Sequence, residues 1–348
     1  MQRKKQLTSP AVVLIAALCG LLVSSCSVIL GKEDGSSQQG ISLRFLETLR
    51  NEASLRGEGL KDVAINTDRS ITLQHPNSVF ADAFRVYVTD ASPARVFVFD
   101  HGSRTVAILD HVPPAEDEVN LIAPRGVVVD GSGTLWVSDS QQGRVYGYTR
   151  TGKSLYVIGK FGELAMPAGL AIDNQRARLY VADTGAHQVK AFNFTGERLH
   201  EGGREFGGPY LEIGGSGKPG KDFKFPGAIA LDRGGNLYVL DTHRKRVFLY
   251  DHDANFVRSF SLSGEDSGAA LKPEGIAVDS DRHLYVTDSI SNNVLIFDSE
   301  GRLMLTWGMT GGLHGEFRSP LGIFIDERDV IYIADQANGR VQVFQYSP

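Results

Sequence analysis

The sequence predicts an all-β fold: a six-bladed β-propeller of four-stranded antiparallel blades, closed by an N-terminal strand. Three observations indicate this fold. A short unit recurs six times, each unit holds three apolar runs separated by turn residues, and the last unit ends four residues before the C-terminus. A unit this small cannot bury a core alone, so we expect the copies to pack on one another.

The repeat begins at a proline and is defined by two aspartates and a valine. The prolines are Pro76, Pro124, Pro167, Pro226, Pro273 and Pro320. The sixth residue after each is Asp82, Asp130, Asp173, Asp232, Asp279 or Asp326. A second aspartate follows at Asp90, Asp139, Asp183, Asp241, Asp288 and Asp335, and a valine stands six residues beyond each of these. The intervals between prolines are 48, 43, 59, 47 and 47 residues, which are typical of propeller blades.

Residues 271–298 show how one unit forms a blade. The run 275–278 is apolar at consecutive positions, as expected of an inner strand packed on both faces. The runs 284–287 and 294–297 are rich in β-branched and aromatic residues, and Asp, Ser and Asn supply the turns. An outer strand is predicted at 301–307. Four antiparallel strands therefore form each blade.

The last repeat lacks an outer strand because the chain ends soon after Phe344. The apolar stretch 41–49 precedes the first repeat and has no blade of its own. We expect it to supply the missing strand, which would join the two ends of the chain and remove an exposed sheet edge. The short apolar run 63–65 is the competing candidate.

The repeat resembles the NHL repeat. The pattern P-x-G-[IL]-A-[VI]-D, then L-Y-V-[AT]-D, then R-V-x-x-F, runs from about residue 76 to 344. The first copy departs from it, with Ser78 in place of Gly and Phe80 in place of Ala, and in the fourth copy the Gly is displaced to Gly227. The resemblance implies a six-bladed β-propeller, in agreement with the number of repeats.

The N-terminus predicts export and lipidation. Arg3, Lys4 and Lys5 precede an apolar run of 13 residues at 11–23, which is too short to span a bilayer but suits a signal peptide. The run ends in Leu-Val-Ser-Ser-Cys26, which resembles a lipobox. We therefore predict a lipoprotein signal peptide at 1–25 and lipidation of Cys26. The alternative is an ordinary signal peptide with an incidental cysteine.

We predict a flexible tether at residues 26–40 and the propeller at residues 41–348. Ser27 rather than Asp follows Cys26, and by analogy with Gram-negative sorting this predicts an outer-membrane lipoprotein facing the periplasm or the cell surface. The chain has a net charge of −5, and removal of the three basic residues in 1–25 makes it −8. This acidic balance argues against a nucleic-acid partner.

The residue after each repeat proline is predicted to surround the mouth of the central channel. These residues are Asn77, Arg125, Ala168, Gly227, Glu274 and Leu321. Arg125 and Glu274 belong to opposite blades and form a candidate polar pair for binding, although they could be only solvated charges. The second aspartate of each repeat could form a ligand ring, but a carboxylate present in every copy more often holds its own turn.

Other candidates break the repeat pattern. His187 and His243 lie in turns after second strands, where a lone histidine is more often a surface residue than a ligand. The stretch 201–224 lengthens one interval by about 11 residues relative to its neighbours and carries Tyr210, which would flank the same mouth if the loop turns that way. Its Gly-Gly-Ser-Gly-Lys run lacks the Ser or Thr of a phosphate-binding loop.

Two classes of function remain open. The first is a non-enzymatic scaffold of the bacterial cell envelope that binds a protein or peptide and needs no cofactor. The alternative is a metal-dependent enzyme, because relatives of NHL propellers include peptidyl-hydroxyglycine lyases and lactonases that hold a metal in the channel. In the lyases, metal-binding histidines follow the repeat proline, and none of the six residues there is His. We predict no catalytic residue and no metal ligand, and the binding scaffold is favoured.

Overall fold

A computed structural model describes residues 42–50, 72–109, 111–112, 119–149, 152, 154–159, 162–194, 204–205, 209–214, 222–262 and 271–347. These residues form six large β-sheets, two small two-stranded sheets and two single-turn 3-10 helices, Thr184–Ala186 and Gln336–Asn338. Each large sheet is one blade; in five blades the antiparallel strands follow the chain from the inner strand outward, and in the sixth the outer strand is the first strand of the described chain. The predicted six-bladed β-propeller is therefore confirmed.

The strands are given by blade, from inner to outer. Blade 1 holds Pro76–Ala81, Arg85–Ala91, Ala94–Asp100 and Thr105–Leu109. Blade 2 holds Pro124–Val129, Leu135–Asp139, Arg144–Tyr148 and Ser154–Ile158. Blade 3 holds Pro167–Asp173, Arg178–Asp183, Gln188–Asn193 and Leu211–Gly214. Blade 4 holds Pro226–Leu231, Leu237–Asp241, Arg246–Tyr250 and Phe256–Ser261. Blade 5 holds Pro273–Val278, Leu284–Asp288, Asn293–Phe297 and Leu303–Trp307. Blade 6 holds Pro320–Ile325, Val330–Asp335, Arg340–Ser347 and, as its outer strand, Ser42–Leu49.

Three short pairs lie outside the four-stranded pattern. His111–Val112 pairs with Val119–Asn120, and Met309–Thr310 pairs in parallel with Glu316–Phe317. Arg204–Glu205 pairs in parallel with the outer strand of blade 2. The last pair brings a described part of the 201–224 insertion to the outer edge of blade 2.

The core lies between adjacent blades. Each inner strand contacts the inner strands of its two neighbours, and blade 1 contacts blade 6, so that the ring is closed. The apolar side chains of neighbouring blades form shared clusters, such as the one that joins Tyr87 and Val96 of blade 1 to Val127 and Tyr146 of blade 2. Burial of both sheet faces explains why the strands read as nearly continuous apolar runs.

The first aspartate of each repeat holds the turn between the inner and second strands. In blade 2, Asp130 accepts hydrogen bonds from Thr134 N at 2.9 Å and from Trp136 Nε1 at 3.0 Å. In blade 5, Asp279 accepts from His283 N at 2.8 Å and from the Tyr285 hydroxyl at 3.0 Å. One oxygen thus closes the turn and the other meets the aromatic ring six residues on, which ties the turn to the core.

The ring is closed by Ser42–Leu49, as predicted from 41–49. This strand pairs antiparallel with Arg340–Ser347 from Ser42 opposite Ser347 to Leu49 opposite Val341. Leu43 and Leu49 are buried in the clusters on either side of blade 6, and the Phe45 ring stacks on His314 with centroids 3.8 Å apart. The competing run 63–65 lies outside the described residues.

Substitutions on the buried and on the exposed side of the closing strand should have different effects on the free energy of unfolding. Leu49 is 0% exposed and Leu46 on the same strand is 40% exposed. We expect Leu49→Ala to lower the free energy of unfolding by about 2–5 kcal/mol because it leaves a cavity, whereas Leu46→Ala should change it by about 0.5 kcal/mol or less. Urea unfolding followed by tryptophan fluorescence measures both. Equal losses in the two variants would contradict the observed register.

A histidine–carboxylate contact joins the closing strand to blade 1. His101 Nε2 lies 2.9 Å from Glu47 Oε1, and both side chains are about one-third exposed. The hydrogen bond to Glu47 raises the pKa of His101 above its usual value, and it outweighs the burial that acts in the opposite direction. A histidine whose pKa is raised by folding stabilises the fold fully below its unfolded pKa and loses that contribution as the pH rises through the folded pKa.

The His101→Gln variant should therefore be destabilised most at acidic pH. We expect a loss of up to about 1 kcal/mol at pH 5.5, because the pair is partly exposed, and a much smaller loss at pH 9. Urea unfolding of wild type and variant at both pH values isolates His101 from the other titrating groups. Glu47→Gln should remove the same pH dependence. A loss that is constant or that grows toward pH 9 would show that the ion pair does not stabilise closure.

Candidate functional site

The inner strands of all six blades begin at the same end of the ring. In every blade the repeat proline is paired with the second aspartate, for example Pro76 with Asp90 and Pro320 with Asp335. We call this end the proline face. The residue after each proline lines the mouth of the central channel here, as the sequence predicts.

A buried carboxylate fixes the backbone of the proline face in every blade. The six second aspartates are at most 1% exposed. Each accepts a hydrogen bond from a backbone N–H in the loop just before its proline; the donors are Gln74, Ile122, Met166, Lys224, Lys272 and Arg318. The interpretation of these carboxylates as structural groups is confirmed. The hydrogen bonds that they accept include some from backbone N–H groups of the preceding loop.

The second set of partners differs between blades. In blades 1, 2, 4 and 5 the carboxylate also accepts from a backbone N–H of its own turn. In blades 3 and 6 a buried cation takes that place: Lys190 Nζ lies 2.8 Å from Asp183, and Arg340 Nε lies 2.7 Å from Asp335. Because these carboxylates are hydrogen-bonded and buried, they are fixed parts of the face.

Side-chain hydroxyls connect the blades at this face. Thr89 Oγ1 donates to Arg125 O at 2.9 Å, and Ser138 Oγ donates to Ala168 O at 2.6 Å. Thr287 Oγ1 donates to Leu321 O at 2.5 Å in the same way. Each bond holds the residue that follows the next blade's proline. The backbone of the channel mouth is therefore preorganised while the side chains there are free to vary.

Arg125 and Glu274 lie at the mouth in opposite blades but have different environments. The Glu274 carboxylate lies 2.6 Å from Lys272 Nζ and 3.2 Å from Ser289 Oγ of its own blade. Arg125 is exposed, and its guanidinium has no ion pair within the described residues. The expected polar pair is thus one neutralised carboxylate and one free cation.

Asn77 and Leu321 also lie at the mouth, each half-buried. The Asn77 amide nitrogen is 3.4 Å from the carbonyl oxygen of Pro124, which makes it a contact between blades 1 and 2. Leu321 presents its side chain at the mouth, and its carbonyl oxygen accepts the Thr287 hydroxyl. Both predicted residues therefore belong to the face, and Asn77 contributes to its assembly.

His187 and His243 pack around one aromatic residue, Phe225. The Phe225 ring centroid is 6.1 Å from that of His187, edge-on, and 5.9 Å from that of His243, nearly parallel. His187 Nδ1 lies 2.6 Å from Lys224 O, and because a carbonyl oxygen only accepts, Nδ1 carries the proton. The two histidines thus support an aromatic side chain of the face.

Met166 and Phe225 are mouth residues that sequence reasoning missed. They precede the prolines of neighbouring blades 3 and 4, are 38% and 39% exposed, and line the channel. Ile122, two residues before the proline of blade 2, is 48% exposed. The residues at the position before the proline are His75, Ala123, Met166, Phe225, Lys272 and Ser319. The same search for departures from the repeat, applied one residue earlier, would have found them.

The placement of Tyr210 differs from the expectation. Tyr210 N bonds to Ala191 O, and the Arg178 guanidinium lies 5.7 Å from the Tyr210 ring centroid. Arg178 begins the second strand of blade 3, at the end of the ring opposite the proline face. Tyr210 therefore does not flank the predicted mouth, because its described contacts lie toward the opposite end of blade 3.

The central channel has a volume of about 1130 Å³ and is lined by inner-strand residues of all six blades. Phe80 and Phe324 of adjacent blades 1 and 6 narrow one side, with ring centroids 4.6 Å apart. At the far end Arg233 donates to Glu327 O at 2.7 Å, which links blade 4 to blade 6. Within the described residues no group of three or more His, Cys, Asp or Glu side chains is placed to hold a metal ion.

This architecture defines the class of protein, a six-bladed β-propeller. Comparison with protein families agrees: a model described as 6-bladed beta-propeller matches residues 266–347, and a model described as NHL repeat matches residues 164–192. The chain is thus a propeller with NHL-type repeats, and the resemblance found in the sequence is confirmed.

Known proteins resemble this chain in sequence or in structure, at low sequence identity. Protein brain tumor of Drosophila melanogaster is 23% identical over 145 residues, which cover 40% of this chain and 12% of that protein. An auxiliary nutrient binding protein from Bacteroides thetaiotaomicron superposes with a TM-score of 0.56 at 15% identity, covering 80% of this chain and 71% of that chain. Virginiamycin B lyase from Staphylococcus aureus superposes with a TM-score of 0.53 at 11% identity, covering 88% and 99%. These likenesses show the fold alone.

Cys26 and the tether 26–40 lie outside the described residues. Within the described ranges, no helix has the length and apolar character that a membrane span requires.

Proposed function

We propose that this chain is a non-enzymatic scaffold that binds a protein or peptide on its proline face, in the bacterial cell envelope. The observation that carries the proposal is the pair Met166 and Phe225. Both side chains are large, apolar and exposed at the mouth of a concave channel, on a backbone fixed by buried hydrogen bonds. Apolar anchors beside a polar rim are the usual composition of a protein-binding surface.

The neighbouring charges fit the same function. Arg125 is exposed at the mouth, and arginine and aromatic residues are enriched at binding surfaces. His187 and His243 hold Phe225 from two sides, which limits the rotamer freedom that binding would otherwise cost. A partner would thus meet a preformed surface that spans blades 2 to 4.

The enzyme class considered from the sequence has less support. The likeness to virginiamycin B lyase concerns the fold. The aspartates along the channel already accept hydrogen bonds from their own turns, as Asp82 does from Arg85 N at 2.8 Å and Asp326 from Val330 N at 3.0 Å. We therefore assign the function to binding at the channel mouth rather than to a reaction inside the channel.

Site-specific photocrosslinking tests the binding face. A photoreactive benzoylphenylalanine placed at Phe225 should form a covalent adduct with a discrete envelope protein or peptide in living cells. The matched control is the same amino acid at Val257, which is 52% exposed on the outer strand of the same blade and should give no such adduct. Equal adducts at both positions, or none at Phe225 and Met166, would reject the proline face as the binding surface.

The membrane anchor is the second part of the proposal. We expect lipidation of Cys26 to attach the propeller to the outer membrane, facing the periplasm or the cell surface. Cys26→Ser should then leave an unprocessed or soluble form, measured by membrane fractionation and by metabolic labelling with a fatty-acid analogue. Cys19→Ser is the control and should behave like wild type, because Cys19 lies within the predicted signal peptide. A Cys26→Ser protein that is still processed and acylated would refute the anchor.

A further inference from the structure

The exposed side chains next to the repeat prolines are mostly cationic, on a chain that is acidic overall. We define the rim as the two residues before and the one residue after each repeat proline. Its ionisable residues other than histidine are the cations Arg125, Lys224, Lys272 and Arg318 and the single carboxylate Glu274. The rim therefore has a net charge of three positive units, whereas the whole chain has a charge of −5. This asymmetry favours an anionic partner.

Three of the four rim cations are available to a ligand. Lys272 is paired with Glu274 at 2.6 Å. Arg125, Lys224 and Arg318 are exposed, and within the described residues their side chains make no ion pair. They belong to blades 2, 4 and 6, so they alternate around the ring. Arg125 lines the mouth itself, and Lys224 and Arg318 flank it two residues before the prolines of their blades.

The backbones of these three residues are held by buried groups. Lys224 N donates to Asp241 at 2.6 Å, Arg318 N donates to Asp335 at 2.7 Å, and Arg125 O accepts the Thr89 hydroxyl at 2.9 Å. The base of each side chain is thus fixed, while its charged end forms no ion pair with the residues that the structure describes. Exposed cations on a fixed backbone can attract and orient an anionic ligand. Because such charges contribute little to the stability of the fold, they can be present for binding alone.

Apolar side chains lie between the cations. Ile122, Met166 and Phe225 occupy rim positions of blades 2, 3 and 4. A nucleic acid is favoured by a continuous basic track and by free aromatic faces on which bases stack. Here intervening blades separate the cations, and one face of Phe225 is already covered by His243. The combination matches a polypeptide segment that carries both carboxylates and apolar side chains.

We infer that the rim recognises an acidic polypeptide segment, whose carboxylates pair with Arg125, Lys224 and Arg318 and whose apolar side chains pack on Met166 and Phe225. This inference rests on the proposed binding function and names the chemistry of the partner.

The test begins with a random 12-residue peptide library selected on the purified wild-type propeller, with counter-selection on the uncharged variant Met166→Ser/Phe225→Ser. We expect the enriched peptides to be net acidic and to contain aromatic or aliphatic residues. Enrichment of neutral or basic peptides would overturn the inference and leave the proposed function standing. If no peptide is enriched over the counter-selected variant, the proposed function falls as well.

Charge reversal then tests the three cations. Arg125→Glu/Lys224→Glu/Arg318→Glu should weaken binding of the best acidic peptide at least about tenfold, measured by fluorescence anisotropy. The control is Arg44→Glu/Arg104→Glu/Arg282→Glu, three exposed arginines away from the proline face, which has the same change of net charge and should alter affinity by about twofold or less. A peptide with its acidic residues changed to Lys should bind the rim variant and not the wild type.

Two further outcomes would contradict the inference. Equal affinity of the rim variant and the wild type for the acidic peptide would show that the cations do not contact it. Tighter binding of a labelled oligouridine 12-mer than of the acidic peptide, lost in the rim variant, would assign the rim to a nucleic acid instead.

Discussion

The proline face depends on one buried carboxylate in each blade. The second aspartate of the repeat is inaccessible to water, and it receives hydrogen bonds from the loop that arrives from the preceding blade. A buried carboxyl group is well accommodated only while its hydrogen-bond partners stay in position, and leaving a buried polar group without its partner costs about 1–3 kcal/mol. The aspartate therefore specifies the loop conformation, and the loop brings the next inner strand to the channel.

In this arrangement the backbone fixes the fold of the proline face, and the side chains at the same positions are available for binding. The hydrogen bonds to the aspartates come from backbone N–H groups, so the side chains at the same positions are not needed for the fold. Lys224, Lys272 and Arg318 all donate through the backbone in this way. Rim side chains can consequently differ between blades without disturbing the ring. A repeat protein can acquire a binding site at such positions, where its copies differ in sequence.

The sequence was sufficient for the fold because the fold is set by local spacing. Proline, aspartate and valine recur at fixed intervals, and the closing strand was identified from 41–49, where the structure has Ser42–Leu49. The site was predicted less completely. The pairing of Glu274 with Lys272 could have been predicted from the sequence, because the two residues stand on either side of Pro273. The position of Tyr210 could not, because it depends on contacts with Ala191 and Arg178, which are distant from it in the sequence. Nothing local in the sequence encodes such a contact between distant segments.

The closing strand also sets the direction in which the ring is presented. Ser42 pairs with Ser347 at the end of blade 6 that lies opposite the proline face, and the strand then runs toward that face. The polypeptide before Ser42 and the C-terminal residues therefore both join the ring at its far end. An attachment through the N-terminal segment would therefore reach the ring at the end opposite the mouth that carries Arg125, Met166 and Phe225.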